Sequence, residues 1–355
     1  ANTSGNRILP LHWRKLKKNK KNLVSVETTS HENQTSQFHK IDQSNLTNQN
    51  VSKSQPNYRH LSSIADLQSS SPQYSTNILT QLRILTKRSM KQRRGEKLTR
   101  VASVVTLTFV VLESVFWFRL PNDTNHIYER NSILFFLLIA QTNSVVLSSI
   151  TTFQQERALL RRERAKKMYR VLPYFIAKTA TDMSTNIILP EIHAAVVYWT
   201  VNLRPTTGAY FTYLLIFYLT TSTAQSLGLL LSVSITNVQL ALMIAPVLNI
   251  FLMIMAGFYI PLENMSPWIR WISWLSYATY GYGGFIVNEF DGQYIECTDS
   301  ENNFGNGECP LPGSTVIESL GLKGLVSEMW FNIFMLIIMQ IAFRLCAYLI
   351  LRKYG

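Results

Sequence analysis

The sequence predicts an all-α membrane protein with six transmembrane helices, an N-terminal amphipathic connecting helix and a re-entrant helical segment on the outer side. Three observations predict this fold class: long apolar stretches within residues 98–355, a polar segment over residues 1–75, and an uneven distribution of Lys and Arg between the loops. The 355-residue chain is 47% hydrophobic and has a net charge of +13. Averaged over the whole chain, these values would wrongly indicate a basic soluble protein.

Residues 1–75 are rich in Ser, Thr, Asn and Gln and contain few large apolar side chains. Such a segment buries too little apolar surface to offset the entropy of ordering, so we predict a disordered polar linker. The basic run Arg14–Lys21 could contact acidic lipid headgroups or nucleic acid, but a solvated linker is favoured and no nucleic-acid partner is expected. Because the chain begins at Ala1 rather than Met, we expect a fragment or a processed product, and no secretory signal follows.

Residues 76–94 form the predicted amphipathic connecting helix. Four apolar residues share one helical face and basic residues surround it, a spacing typical of a helix that lies in the membrane interface. The apolar residues are Ile78, Leu79, Leu82 and Leu85, and the basic ones are Arg83, Lys87, Arg88 and Lys91.

Six apolar stretches within residues 95–355 are long enough for transmembrane helices, which need about 20 residues each. In lipid, only a helix satisfies the backbone polar groups of such a segment. The predicted spans are Thr99–Phe118, Asn131–Thr152, Pro173–Val201, Ala209–Val233, Val238–Ile260 and Met329–Leu351.

The loops predict the orientation. The segment Gln154–Lys178 carries eight Lys and Arg residues, whereas the long loop 262–328 has only Arg270 and Lys323 against nine acidic residues. The positive-inside rule places both termini in the cytoplasm and the acidic loop outside. Within that loop, Pro267–Val287 is dense in Trp and Tyr and interrupted by glycines, which favours an interfacial or re-entrant helical hairpin over a seventh span.

Four stretches, in order, resemble the G-type (White) family of ABC transporters, and together they cover about Thr76 to Gly355. They are ERALLRRERAKKMYRV from Glu156, YFIAKTATDM over Tyr174–Met183, the run Gly257–Phe290, and FRLCAYLILRKYG over Phe343–Gly355. The resemblance implies an ABC-2 type transmembrane domain that works as a homodimer or heterodimer among membrane lipids, with the plasma membrane as its location.

The resemblance also implies a function. ATP and Mg would bind to a nucleotide-binding domain, on the same polypeptide or a separate subunit, because this sequence contains no G-x-x-x-x-G-K-[ST] loop. The chain would then carry no cofactor or metal, would not be an enzyme by itself, and would be the permease domain of a half-transporter exporting lipid-like, sterol or amphipathic xenobiotic molecules. One alternative is a nucleotide-independent channel or carrier, but the sequence shows neither a charge-lined pore nor inverted repeats. The other is a membrane-embedded enzyme, but the sequence shows no catalytic constellation.

Two groups of residues carry the expected transport sites. Between the second and third spans, the coupling residues would dock onto the nucleotide-binding domain, although an ordinary positive-inside charge run is the alternative. The resemblance implies a cargo slot at the dimer axis, with an outer valve after Gly257, although these residues could instead only pack the dimer. The coupling residues are Glu156, Arg157, Arg162, Glu163 and Arg164; the slot residues are Phe136, Ile139, Ala140, Asn143, Ile250 and Met253; the valve residues are Phe258 and Tyr259.

Ionisable residues inside apolar spans are costly and are therefore functional candidates. Glu113, Asp182, Glu191 and His193 qualify, and Glu191 with His193 could form either a polar relay or a structural hydrogen-bonded pair. Arg344 should extend its side chain to the interface.

Three residues of the predicted outer loops are candidates for covalent modification. Cys297 and Cys309 share the acidic loop and should oxidise to a disulfide outside the cell, whereas Cys346 lies in a span and should only pack there. Asn122 is a candidate glycosylation site, because it begins an Asn-Asp-Thr sequon in the first outer loop.

Overall fold

A computed structural model of the chain describes residues 77–97, 100–166, 168–185, 188–297, 310–322 and 324–354. The predicted linker 1–75 lies outside these residues. Within them the chain is mainly helical. The helices are α1 (Ile78–Lys97), α2 (Arg100–Phe116), α3 (Ile127–Ala165), α4 (Val171–Thr185), α5 (Ile188–Val201), α6 (Thr207–Ser234), α7 (Val238–Ile254), α8 (Pro267–Arg270), α9 (Tyr277–Phe290), α10 (Gly313–Ser319) and α11 (Met329–Tyr354).

Short elements complete the described part of the chain. Two-residue strands β1 (Tyr294–Ile295) and β2 (Leu311–Pro312) pair antiparallel. Short 3-10 helices lie at Thr124–His126, Leu262–Asn264, Trp271–Leu275 and Gly324–Ser327.

Three helices among the described residues are long and apolar enough to cross a membrane: Thr124–Ala165, Thr207–Ser234 and Met329–Lys353. Two shorter apolar helices cover Ser103–Phe116 and Val238–Ile254. The predicted third span, residues 173–201, is described as α4 and α5, and residues 186 and 187 between them lie outside the described residues. The count of six spans therefore stays a prediction, whereas the helical fold class is confirmed.

Helix α6 is the centre of the bundle, with α3 and α11 packed along it. It tolerates a run of buried hydroxyl residues because their side chains bond to carbonyls one turn earlier; Thr220, for example, donates to the Ile216 carbonyl at 2.7 Å. Gly228 allows α3 and α6 to approach closely, since a Cβ atom there would lie 2.8 Å from the Val146 carbonyl oxygen.

The predicted re-entrant segment is a broken helical segment made of α8, a 3-10 helix and α9. Its first half exposes Trp268, Trp271 and Trp274, whereas every residue of α9 is buried. Buried tyrosines need partners for their hydroxyls, and Tyr282 donates to Asn131 Oδ1 at 2.8 Å. In this segment the three Trp side chains are therefore exposed, whereas the Tyr side chains of α9 are buried in the protein.

Helix α1 begins close to the predicted position, and its place in the membrane interface stays a prediction. It lies against α4, and Leu85 is buried in an apolar cluster with Phe153 and Phe175. Leu79, which belongs to the same predicted interfacial face, is exposed. The apolar face of α1 is therefore shared between protein contacts and the exterior.

Candidate functional site

The basic end of the bundle, defined here by residues 156–178, contains all five predicted coupling residues. Glu156 and Glu163 stand seven residues apart on the same side of α3. Glu163 pairs with Arg88 of α1 at 2.9 Å and accepts a hydrogen bond from the Tyr169 hydroxyl at 2.6 Å. The hydrogen bond to Glu163 raises the pKa of Arg88, and burial together with the same carboxylate raises the pKa of Tyr169.

Glu156 connects α3 to α4 in the same way. Its Oε2 accepts hydrogen bonds from Lys178 Nζ at 2.7 Å and from the Tyr174 hydroxyl at 3.1 Å. The Lys178 side chain is only 4% exposed, and Asp182 lies 3.8 Å away on its other side. A buried ammonium needs such partners, so Glu156 has a structural role within this chain.

Arg157 and Arg164, also seven residues apart, bind the ends of two other helices. Arg157 Nη1 donates to the Ile235 carbonyl at the end of α6 at 3.2 Å, and Arg164 Nη1 donates to the Leu351 carbonyl of α11 at 3.1 Å. Cations favour helix C-termini because the last carbonyls lack helical partners and carry partial negative charge.

These contacts change the interpretation of the coupling segment. The two glutamates and two of the arginines bind α1, α4, α6 and α11 of the same chain, whereas Arg162 is exposed. The sequence did not predict Arg88, Tyr169 and Lys178 as partners of this segment. The pair Glu156-Arg157 recurs seven residues later as Glu163-Arg164, and this repeat could have indicated one helix face for the glutamates and another for the arginines. Docking onto a nucleotide-binding domain stays a prediction, and Arg161 and Arg162 are the exposed arginines at this end of α3.

Helices α3 and α7 meet through a short polar chain. Asn249 Nδ2 donates to Asn143 Oδ1 at 2.9 Å, and Asn249 Oδ1 accepts from the Tyr277 hydroxyl of α9. Asn249 and Tyr277 are fully buried, whereas Asn143 is half-buried. Asn143 therefore lies at the edge of the α3–α7 contact, and its Oδ1 accepts the hydrogen bond from Asn249.

The predicted α7 face of the cargo slot is divided by the structure. Ile250 is 51% exposed, but Met253 is buried in the core of the chain at 1% exposure. A step of three residues turns a helix by about 300°, so these two side chains point about 60° apart around the axis of α7. One therefore faces outward and the other faces the core. Met253 is thus placed among packing residues, and Val247 and Met243 lie outward with Ile250.

The predicted slot residues of α3 lie in different surroundings, and their role in binding cargo stays a prediction. Phe136 lies against Trp117 with ring centroids 5.8 Å apart, which places it beside α2, while Ile139 and Ala140 are half-buried. Phe135, which precedes Phe136 in the sequence, stacks on Phe258 with ring centroids 4.1 Å apart. The sequence gives no sign that distinguishes these adjacent phenylalanines.

The valve pair follows Gly257, whose φ of 100° favours glycine. Tyr259 is 60% exposed and meets Phe135 edge to face at 5.4 Å. Phe258 and Tyr259 therefore belong to one aromatic cluster with Phe135 and Tyr282.

His193, one of the two residues of the predicted relay, contacts α2 and α3. His193 is fully buried; its Nε2 lies 2.6 Å from Glu113 Oε2, and its Nδ1 contacts the side-chain amide of Gln141. Glu191 is not its partner, because residues two apart on a helix point to different sides. One oxygen of Glu191 is buried and without a hydrogen-bond partner among the described residues.

Arg344 also differs from the prediction. Its guanidinium does not extend to the interface but donates to Ser226 Oγ at 2.7 Å and Ser222 Oγ at 3.4 Å, both on α6. Gln340 Nε2 donates to the same Ser222 hydroxyl at 2.9 Å. These polar contacts join α6 and α11 inside the bundle.

At the opposite end, a buried ion pair joins α3 to α9. Arg130 Nη1 donates to Glu289 Oε1, and Arg130 Nη2 donates to the carbonyls of Leu120 at 2.9 Å and Asn202 at 3.0 Å. The backbone amide of Arg204 completes the pair by donating to Glu289 Oε2 at 3.1 Å. The sequence had placed Glu289 among the acidic residues of the outer loop.

The remaining predicted residues lie near this end. Asn122 is half-buried, and its Nδ2 donates to the Tyr294 carbonyl at 3.4 Å, so glycosylation there stays a prediction. Cys297 follows β1, whereas Cys309 lies outside the described residues, so their pairing also stays a prediction. Within the described part of the chain, no group of three or more His, Cys, Asp or Glu side chains could hold a metal ion.

Comparison with known proteins connects this architecture to a family. The sequence profile of the ABC-2 type transporter family matches residues 80–290. ABC transporter G family member 1 of Dictyostelium discoideum is 28% identical over 282 residues, which are 78% of this chain and 35% of that protein. ABC transporter G family member 14 of Arabidopsis thaliana is 26% identical over 284 residues, 80% of this chain and 42% of that protein.

A third relative is the broad substrate specificity ATP-binding cassette transporter ABCG2 of Sus scrofa, 28% identical over 290 residues, 79% of this chain and 44% of that protein. The chain thus spans less than half the length of these three relatives. The profile, in contrast, covers more than half of this chain. The chain therefore belongs to the ABC-2 type transporter family, with relatives named as G family members, as the four sequence stretches predict.

Proposed function

We propose that this chain is the membrane-spanning permease domain of an ATP-driven half-transporter that exports lipid-like, sterol or amphipathic xenobiotic molecules as a homodimer or heterodimer. ATP and Mg bind to a nucleotide-binding domain that this sequence does not contain. Both termini are cytoplasmic and the plasma membrane is the site of action. Membership of the ABC-2 family supports a role in transport.

The outward face of α7 is the observation that carries the proposal. Its apolar side chains face away from the chain along three turns, with exposures from 40% to 71%. They are Leu240, Met243, Ile244, Val247 and Ile250. A row of this kind needs either lipid or a second copy against it.

The edge of this face favours amphipathic cargo. Asn143 lies there as a single half-buried amide, beside flexible and branched aliphatic side chains. A mainly apolar slot with one polar point suits flat molecules that carry few polar groups. The names of relatives agree with such cargo: the Sus scrofa protein is called a broad substrate specificity transporter, and a relative from Aspergillus fumigatus, 30% identical over 229 residues, is called ABC multidrug transporter C.

The basic end supports coupling to a separate motor. Because the end of α3 bonds to α1, α4, α6 and α11, a push on it would move four helices together. Arg161 and Arg162 remain outward and offer positive charge to a docking surface. No described contact favours the channel or carrier alternative specifically.

Transport of a dye tests the proposal. The chain, with its nucleotide-binding domain, is placed in proteoliposomes, and ATP-dependent movement of an amphipathic dye is measured. Ile250→Trp should reduce transport severalfold because it fills the slot. Ile192→Trp is the matched control, since Ile192 is 56% exposed on α5 and should tolerate the change. Equal losses of dye transport in the two variants would reject the slot. Dye movement without ATP would favour a carrier.

A further inference from the structure

A cavity lies between the re-entrant segment and the 3-10 helix Gly324–Ser327, and it shares no residue with the proposed slot. Its volume is about 360 Å³, within the range of small-molecule pockets. Its surface is mainly apolar, with a smaller polar part. The cavity can therefore hold the polar and the apolar portion of one ligand. The lining residues that decide its chemistry are Leu262, Glu263, Arg270, Ser273, Trp274 and Tyr280.

Arg270 supplies an oriented positive charge in this cavity. Its Nη2 donates to the backbone carbonyls of Glu263 at 2.5 Å and Met265 at 3.2 Å, which fixes the plane of the guanidinium. Its Nε and Nη1 form no hydrogen bond, and no carboxylate pairs with it, among the described residues. A guanidinium stays protonated at physiological pH, and its donors match the oxygens of a phosphate group. An anionic ligand would therefore supply acceptors that the described part of the chain does not provide.

Side-chain hydrogen bonds hold the wall of the cavity in place. Ser273 Oγ donates to the Arg270 carbonyl at 2.6 Å, and the Tyr280 hydroxyl donates to the Trp274 carbonyl at 2.9 Å. Ser273 and Tyr280 are both buried. These bonds fix the backbone that carries Arg270 and Trp274, so a ligand would find the site already ordered and lose less affinity to ordering it.

The aromatic residues around the cavity indicate that the ligand is a lipid. The three Trp side chains of this segment are exposed, which is typical of the headgroup level of a membrane. Trp274 and Tyr280 meet Phe331 of α11 edge to face, with ring centroids 6.5 Å and 6.1 Å apart. Phe334, about one turn further along α11, is exposed. Apolar surface for an acyl chain therefore lies beside the cavity.

The acidic residue of the lining limits the charge of the ligand. Because Glu263 also faces this cavity, a multiply charged anion would be repelled more strongly than a phosphodiester, which carries a single charge. We propose that the cavity binds the phosphodiester head of a membrane phospholipid. Arg270 donates to the phosphate oxygens, and Trp274 packs against the glycerol and acyl carbons. This inference concerns binding and does not depend on the proposed transport.

Photolabelling of the full chain, in micelles of an uncharged sugar detergent and without ATP, tests the inference. The probe is a phosphatidylcholine with a diazirine near the start of one acyl chain, and the matching diacylglycerol is the control probe without a phosphate. Mass spectrometry should locate the phosphatidylcholine label within residues 262–280 or at Phe331. Labelling by the diacylglycerol should be about tenfold weaker.

A competition arm separates a lipid from a soluble phosphate ester. Glycerophosphocholine has the same phosphodiester head but no acyl chain, so an excess of it should leave the labelling by phosphatidylcholine unchanged. Loss of the label in its presence would overturn the lipid and assign the cavity to a soluble phosphate ester.

Three variants test the role of Arg270. Arg270→Gln removes the charge and should reduce labelling by phosphatidylcholine about tenfold, whereas Arg270→Lys keeps the charge and should retain most of the labelling. Arg119→Gln is the matched control. Arg119 is an exposed arginine beside the Phe118 ring that does not line the cavity, so labelling should not change.

Several outcomes would overturn the inference. Equal labelling of the parent and Arg270→Gln would remove the role of the guanidinium. Diacylglycerol labelling as strong as phosphatidylcholine labelling would show that the phosphate is not recognised. Label found only outside residues 262–280 and Phe331 would place the site elsewhere. If Arg270→Gln fails to fold, Trp274→Ala still decides, since Trp274 is 49% exposed and unchanged labelling in that variant would reject the cavity.

Discussion

Replacing Glu156 by Gln should destabilise the bundle by about 2 kcal/mol. The change leaves the ammonium of Lys178, 4% exposed, without the carboxylate that lies 2.7 Å away. Breaking a buried ion pair from one side costs about 3–5 kcal/mol. The cost here should be smaller, because the Glu156 side chain is 20% exposed, the glutamine oxygen still accepts a hydrogen bond, and Asp182 remains at 3.8 Å.

A melting experiment in detergent measures this cost. For a chain of 355 residues, about 2 kcal/mol corresponds to a fall in melting temperature of about 3 °C. Arg161→Gln is the control, since Arg161 is exposed on the same helix and should leave the melting temperature unchanged.

A double-mutant cycle with Lys178→Met separates the pair from each residue's own contribution. We expect a coupling energy of about 1–2 kcal/mol between the two positions. If Glu156→Gln melted like the parent, or if the two changes were simply additive, the claim that this pair joins α3 to α4 would fail.

Three further predictions concern other parts of the chain. Arg162→Glu should separate ATP hydrolysis from transport in the assembled transporter without changing the melting temperature. Arg164→Glu should lower that temperature, because of these two residues only Arg164 bonds to a helix end. Equal melting temperatures of the two variants would contradict this. Non-reducing mass spectrometry should find a peptide pair joined through Cys297 and Cys309, and two free thiols would refute the bridge. Gly228→Ala should destabilise the bundle by about 1–3 kcal/mol, since its methyl group would meet a backbone oxygen of α3 at 2.8 Å, and unchanged melting would contradict the close packing of α3 on α6.

Apolar length predicted much of the helical architecture. The stretches that became α3, α6 and α11 were found because burying 20 or more apolar residues leaves few alternatives to a helix. The same signal covers residues 173–201, where the structure describes helix α4 and helix α5 on either side of residues 186 and 187.

Side-chain partners were the part that sequence reasoning could not supply. Arg130 and Glu289 are 159 residues apart, and no local spacing connects them. His193 was assigned a partner two residues away, but its contacts come from α2 and α3. Likewise, which of Phe135 and Phe136 meets Phe258 depends on the rotation of α3 about its axis, which packing against α6 and α7 determines.

We propose that this chain moves amphipathic molecules only when a nucleotide-binding domain drives it. The most direct test reconstitutes the chain in proteoliposomes with and without that domain and follows rhodamine 123 after ATP is added. We expect ATP-dependent dye movement with the domain, and none without the domain or with a non-hydrolysable nucleotide. Dye movement by the chain alone, driven only by the dye gradient, would contradict it and support a channel or carrier.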